Sequence, residues 1–284
     1  MRRHGRLLSA ALLAALPALL GCEGGMAERP EPLAGNIIDD AELGDLLLTT
    51  GDPEESVTYF ENALAKEPDR ADFRRGLALS LARAKRYPEA ARVFGEMVAR
   101  GEAEPADRLE YAMVAARLER WDDVRTIVAG LPPDMNSARR HMIDAMLADH
   151  EGDWAAADAA YAQAEALAAN PAPVLNNWGV SQMSRGDYPA AADLFERALA
   201  YDSRLFSAKN NLAIAGGLMG DYDLPAVPMT ETEKAYMLNN LGVIAERSGQ
   251  IEMARGLFAA AVEAHPQHYA AAASRLEALA PPEY

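Results

Sequence analysis

Small and large side chains recur at a fixed interval of 34 residues through most of this chain, and few folds can satisfy such a constraint. Within a 34-residue window, position 8 is small, position 15 is Gly, positions 17 and 24 are aromatic, positions 20 and 27 are Ala, and position 32 is Pro. Window 172–205 supplies Gly179, Gly186, Tyr188, Ala191, Phe195 and Ala198. Window 138–171 supplies Ala145, Gly152, Trp154, Ala157, Tyr161 and Ala164, and window 235–268 supplies Gly242, Gly249, Ala254, Phe258, Ala261 and Pro266. Window 37–70 gives Gly44, Gly51, Phe60, Ala63 and Pro68, and window 71–104 gives Ala78, Tyr87, Ala90 and Phe94. Window 105–138 is poorer, with Ala112, Trp121 and Val124, and Pro132-Pro133 cut short its second half. Self-similarity at this period marks stacked supersecondary units that bury their apolar faces on one another.

The unit is a helix pair. Small residues at 8, 20 and 27 let two helices approach, and large ones at 17 and 24 fill the space beside them. Gly at 15 closes the first helix in a left-handed conformation. An Asp after it, in Gly152-Asp153, Gly186-Asp187 and Gly220-Asp221, suits the N-cap of the second helix. Asp39-Asp40 and Asp122-Asp123 suit helix starts, where the dipole favours carboxylates. Abundant Ala and Leu agree with helix throughout. The pattern resembles the tetratricopeptide repeat (TPR). That resemblance implies an all-α superhelix (α-solenoid) of about six to seven helix-turn-helix repeats, whose first helices line a concave surface that binds protein segments.

One repeat is incomplete. Asparagine pairs open NNWGV at Asn176 and Asn177, NNLAI at Asn210 and Asn211, and NNLGV at Asn239 and Asn240; the first interval is 34 residues and the second 29. The first helix of the unit beginning at Phe206 is intact, but Pro225 and Pro228 forbid an ordinary second helix. A connector over 222–234 is expected there, with Thr230 or Thr232 capping the helix that follows. Residues 37–221 then form the main array, and 235–284 the last repeat with a terminal capping helix from Tyr269 to Ala280.

The asparagines occupy positions 5 and 6 of successive first helices. Each side-chain amide offers donors and an acceptor. They can contact the main chain of a bound peptide, or bond the neighbouring repeat and hold register; both readings stand at this point. Position 9 is apolar in six of seven windows, with Leu79, Met113, Met146, Val180, Ile214 and Val243; Asp45 is the exception. With Met183 at position 12, these side chains either floor a groove or pack between neighbouring first helices. Arg139 and Arg247 are the cations noted on these faces, which are otherwise poor in basic residues, so no basic clamp for an acidic terminus is expected.

The first 36 residues are of another kind. Arg2, Arg3 and Arg6 precede an uncharged stretch from Leu7 to Leu20, closed by Gly21-Cys22. A basic start and a short apolar run make a secretory leader, too short to span a bilayer comfortably. Leu19-Leu20-Gly21-Cys22 resembles a bacterial lipobox. The resemblance implies a leader over 1–22, lipidation of Cys22, the sole cysteine, and stable membrane attachment through its acyl chains. Residues 23–36, rich in Gly, Pro and charge, read as a flexible tether. Glu23 rather than Asp after the cysteine favours an outer-membrane destination on the periplasmic face of a Gram-negative cell.

A formal charge of −16 argues against nucleic acid as a partner. Five histidines include no metal-binding spacing: His141 and His150 are nine apart, and His265 and His268 flank Pro266. No phosphate loop, zinc motif or nucleophile elbow occurs. Neither an enzyme, a cofactor, a metal nor a small-molecule substrate is expected. Beyond the repeat, Leu224-Pro-Ala-Val-Pro228 in the connector, the turn His265-Pro-Gln-His268 and the lipobox resemble the TPR lipoproteins of the tight adherence (Tad, or Flp) pilus apparatus, the TadD family. That resemblance implies an assembly factor acting on the pilus secretin or another Tad component. An adaptor for cell-wall enzymes or for outer-membrane protein insertion is the alternative.

Overall fold

The computed structural model describes residues 40–267 and 269–280. All regular structure among them is helical. Six helix pairs follow in order: α1 (Asp40–Thr50) with α2 (Pro53–Lys66), α3 (Ala71–Arg83) with α4 (Tyr87–Ala99), α5 (Pro105–Arg117) with α6 (Trp121–Ala129), α7 (Ala138–Glu151) with α8 (Trp154–Leu167), α9 (Ala172–Ser184) with α10 (Tyr188–Tyr201), and, after the lone α11 (Phe206–Leu218), α12 (Glu231–Arg247) with α13 (Ile251–Ala264). Helix α14 (Ala270–Ala278) closes the array, burying Ala272 against α13. The expected superhelix with one incomplete repeat and a terminal cap is therefore present. None of these helices is long and apolar enough to cross a membrane. The leader, Cys22, the tether, Asp39 and His268 lie outside the described residues.

Packing within each pair follows the periodic positions. Ala191, Phe195 and Ala198 are fully buried, as are Ala254, Phe258 and Ala261. The position-24 ring lies on the position-8 residue of its own first helix. A Cβ placed at Gly179 would stand 2.5 Å from the Phe195 ring, and one at Gly242 2.6 Å from that of Phe258. Burying such a ring contributes roughly 2–3 kcal/mol, so glycine there sets how closely the helices sit. Asp52, Asp153 and Asp187 each cap a second helix through backbone amides.

The turn between paired helices is more uniform than its sequence. Gly152, Gly186, Gly220 and Gly249 all have φ between +78° and +91°. Lys85 and Glu119 occupy the same position 15 and adopt the same conformation, at φ +60° and +57°. The reason is a shared closing motif. In each of these turns the residue after position 15 donates its amide to a carbonyl five residues earlier, as in Asp187 to Gln182 (3.0 Å), Arg86 to Leu81 (2.9 Å) and Arg120 to Ala115 (2.9 Å). That ring requires a left-handed residue whatever its side chain. Gly51 is the exception: its φ is not positive, and the Leu47 carbonyl crowds the place a Cβ would take, at 2.8 Å.

After α11 the chain runs as a connector only as far as Thr230. Helix α12 starts at Glu231, four residues before 235, because Thr230 and Glu233 form a capping box with bonds of 3.1 and 2.8 Å. Asp221, with no second helix to cap, accepts a bond from the Asp223 amide instead (3.0 Å). Tyr222 and Leu224 pack on the α12–α13 core, and Val227 packs beside Leu199 and Leu205.

Candidate protein-docking surface

The asparagine pairs form a ladder with one rule: position 6 donates to position 5 of the preceding repeat. Asn211 Nδ2 donates to Asn176 Oδ1 at 3.1 Å, and Asn240 Nδ2 to Asn210 Oδ1 at 2.7 Å. Asn177 Nδ2 donates to the Met142 sulfur at 3.4 Å, where Met142 holds position 5 of its own repeat. Asn176 and Asn239 are buried, at 9% and 6% exposure, so neither presents much surface to a ligand. Asn239 Oδ1, at the last rung, has no partner among the described residues. Register between repeats is thus a function these side chains visibly perform. The half-buried Asn177, Asn211 and Asn240 keep their carbonyl oxygens outside the ladder.

Two further expected groove residues fall elsewhere. Met183 is 8% exposed and packs among Ala191, Phe195 and Ala215; it belongs to the core, because position 12 of α9 turns towards its own second helix. Met146 is half-buried against the cluster of Leu109, Val124 and Ile143, between neighbouring repeats. Arg247 is exposed and makes no ion pair among the described residues.

The open groove lies in the N-terminal half. A cavity of about 390 Å³ is walled by Leu48, Leu79 and Met113, with Tyr87 from a second helix and Arg83, Arg117, Arg139 and Glu110 around it. Leu79 and Met113 are two of the apolar position-9 residues. The expectation that these faces are poor in cations fails here: position 13 of two adjacent repeats holds Arg83 and Arg117, and the repetition of Arg at that position is its signal in the sequence. Arg83 donates to the Leu47 and Gly51 carbonyls at 2.9 and 2.8 Å, capping α1. Arg139 pairs with Glu110. Burial pushes the Glu110 carboxyl above its usual range, and Arg139 offsets that only in part. Arg117 is exposed and has no ion pair among the described residues, which leaves a cation on an apolar groove.

A second polar set stiffens the middle of the array. Asp149 accepts from Tyr161 (3.0 Å) and Ser181 (2.6 Å); Asp158 accepts from Trp178 (2.7 Å), Gln182 (3.1 Å) and Arg185 (2.8 Å). Burial alone would raise the Asp158 carboxyl, but the hydrogen bonds from Arg185 and Trp178 outweigh it and hold it low. Burial, with the Asp149 charge, keeps the Tyr161 hydroxyl protonated. These groups tie α7 and α8 to α9 and face each other, so they are structural. Of the histidines, His150 stacks on Trp121 at 4.6 Å and His141 bonds Asn136 at 2.7 Å.

A family model described as the tetratricopeptide repeat matches residues 42–107 and 176–223. Among solved structures, the chain is similar to one in the crystal structure of the APC/C hetero-tetramer Cut9–Hcn1: 15% identity, TM-score 0.58, covering 86% of this chain and 49% of that one. The chain therefore spans about half the length of that relative. It is also similar to a tetratricopeptide repeat protein from Parabacteroides merdae, with 14% identity, TM-score 0.55 and coverage of 84% and 96%. PilF of Pseudomonas aeruginosa aligns at 16% identity over 62% of this chain and 83% of its own, with a TM-score of 0.44. No curated protein sequence matches the chain.

Proposed function

We propose that this tetratricopeptide-repeat superhelix is a lipid-anchored scaffold, held through Cys22 on the periplasmic face of a Gram-negative membrane, outer rather than inner, where it assists assembly of a Tad/Flp pilus secretin. Protein binding follows from the repeat fold. The observation that carries the reading further is the apolar groove walled by Leu48, Leu79 and Met113, with the guanidinium of Arg117 at its edge. Such a surface takes an extended or helical segment by apolar anchors and orients it by one charge. The pilus assignment rests on the likeness of Leu224–Pro228, His265–His268 and the lipobox to TadD-type lipoproteins.

The test is crosslinking and capture of the full-length protein from native membranes, with Cys22→Ser and Arg117→Glu in parallel. Recovery of secretin and pilus components, reduced by either substitution, is the expected result. Recovery of murein hydrolases or insertion-machine subunits would overturn the pilus reading while leaving the scaffold. Unchanged membrane partition and processing of Cys22→Ser would overturn the anchor.

A further inference from the structure

The lost second helix leaves a hole as well as a gap in the sequence. In the neighbouring repeats, a second helix packs on the first helix of the next unit, as α10 does on α11 and α4 on α5. Between α11 and α12 no such helix exists, and the connector covers the interface only in part. What results is a cavity of about 510 Å³ between the connector and the α12–α13 pair. Its apolar lining is Tyr222, Leu224, Leu238, Met253 and Leu257. Leu238 and Leu257 are buried, but Met253 is 45% exposed. Tyr222 is held in place by a bond from Gln250 Nε2 to its hydroxyl, at 3.0 Å.

The rim is negative. Asp221 and Asp223 both line or edge the cavity, both are exposed, and neither has a cation within ion-pair distance among the described residues. They stand just beyond the C-terminus of α11, whose last turn carries no basic residue. Carboxylates at that end of a helix meet its partial negative charge, an arrangement that a cation relieves. Some exposed carboxylates of this chain sit beside an arginine, as Asp72 does with Arg70 and Glu89 with Arg86; Asp221 and Asp223, like Asp153 and Asp187 at the equivalent turns, have no such partner among the described residues.

We propose that this cavity is a second docking site, separate from the first-helix groove, and that it takes a protein segment with a Lys or Arg beside large aliphatic side chains. The aliphatic groups fill the space over Met253 and Leu257, and the cation sits between Asp221, Asp223 and the end of α11. The occupant replaces part of the apolar cover that the absent helix gives other repeats.

The probe is a fluorescein-labelled peptide, Gly-Ser-Leu-Leu-Arg-Leu-Leu-Ser-Gly-amide, with the same peptide carrying Glu for Arg as control. Fluorescence anisotropy is read on the full chain in detergent. The Arg peptide binds and the Glu peptide does not. Asp221→Asn with Asp223→Asn weakens binding about fivefold, and raised salt does the same. Asn at 221 keeps the acceptor for the Asp223 amide, so the turn survives. Met253→Ser abolishes binding without changing the helical signal, and Arg117→Glu leaves it intact, which distinguishes this site from the proposed groove. Equal affinity for both peptides, indifference to the Asp substitutions, or self-association of the chain that Met253→Ser removes would each overturn the proposal.

Discussion

Replacing Lys85 and Glu119 by glycine stabilises this protein. Both residues hold a left-handed backbone, at φ +60° and +57°, in a turn that four other repeats build with glycine. Holding an L-residue there costs about 1–2 kcal/mol. Glycine returns about 0.5–1 kcal/mol of that through its greater freedom in the unfolded chain. The net gain is about 0.5–1 kcal/mol at each site. Neither side chain gives anything back when removed, since both are exposed and neither makes an ion pair among the described residues. The two turns share no hydrogen-bond partner, so Lys85→Gly with Glu119→Gly gains about 1–2 kcal/mol. That corresponds to roughly 2–8 °C in the melting midpoint of a domain this size. Urea unfolding followed by helical circular dichroism reads the effect as a raised midpoint with an unchanged slope.

The reverse changes isolate the cause. At Gly152, Gly186 and Gly249 a Cβ would meet nothing within 4 Å, so Ala at any of them costs only the torsional term, about 1 kcal/mol. At Gly51 the φ is ordinary and the obstacle is the Leu47 carbonyl, so the same change there acts by collision. An unchanged or lowered midpoint for the Lys85/Glu119 double variant would refute the claim that the closing hydrogen-bond ring imposes this conformation.

Gly179→Ala forces its methyl into the Phe195 ring, 2.5 Å away, and costs about 1–3 kcal/mol; Phe195→Leu in that background recovers part, while Gly256→Ala, which meets open space in α13, is neutral or slightly stabilising. On the ladder, Asn211→Ala orphans the buried Asn176 oxygen and costs about 1–3 kcal/mol, Asn240→Ala somewhat less, and Asn177→Ala least, because its partner is a weak sulfur acceptor; equal costs in thermal melts would contradict the ladder. Two carboxylates give opposite pH signatures in stability profiles. Glu110, raised by burial, favours folding below its unfolded value of about 4.3 and loses that contribution as pH rises through the folded value, so Glu110→Gln gains on the parent towards neutral pH. Asp158, held low, contributes above about 3.9 and loses it as pH falls through the folded value, so the deficit of Asp158→Asn closes in acid.

Helix pairs, turn glycines, the capping aspartates and the interrupted repeat were legible because each follows from residues close in sequence. Small positions 8, 20 and 27 and the rings at 24 meet within one unit, and Pro225 and Pro228 act on their own backbone. What stayed ambiguous depends on the offset between units. Positions 5 and 6 were visible as a pair, but whether position 6 meets position 5 of the previous repeat is fixed by how first helices stack. The same stacking draws Arg83, Arg117 and Arg139 around one groove from three helices. No periodicity reports superhelical curvature, so the cationic edge of the groove was missed. Lys85 and Glu119 were missed for another reason: the turn tolerates a costly residue, so the identity of position 15 under-reports its conformation.

The 29-residue interval separates two layers that the repeat normally keeps together. Asn240 reaches Asn210 across the interruption at 2.7 Å, as closely as Asn211 reaches Asn176 in the uninterrupted array at 3.1 Å. First helices therefore stack on one another without a break, although a whole second helix is absent between them. Other contacts supply what that helix would have given. Lys209, 5% exposed along its side chain, pairs with Glu233 at 3.3 Å, and Glu233 also caps α12. One residue thus fixes where α12 begins and how it sits on α11. Gly217 permits the same approach from the other side, since a Cβ there would stand 2.8 Å from Leu241. A buried ion pair is a poor source of net stability but breaks at a high cost when one partner is removed, so it specifies a docking geometry. Specific polar contacts keep the stack of first helices continuous where the second helix is absent, and the layer of second helices is open between the connector and α13. The apolar cover that a second helix gives elsewhere is replaced here by an accessible cavity whose rim carboxylates, Asp221 and Asp223, have no cation within ion-pair distance among the described residues.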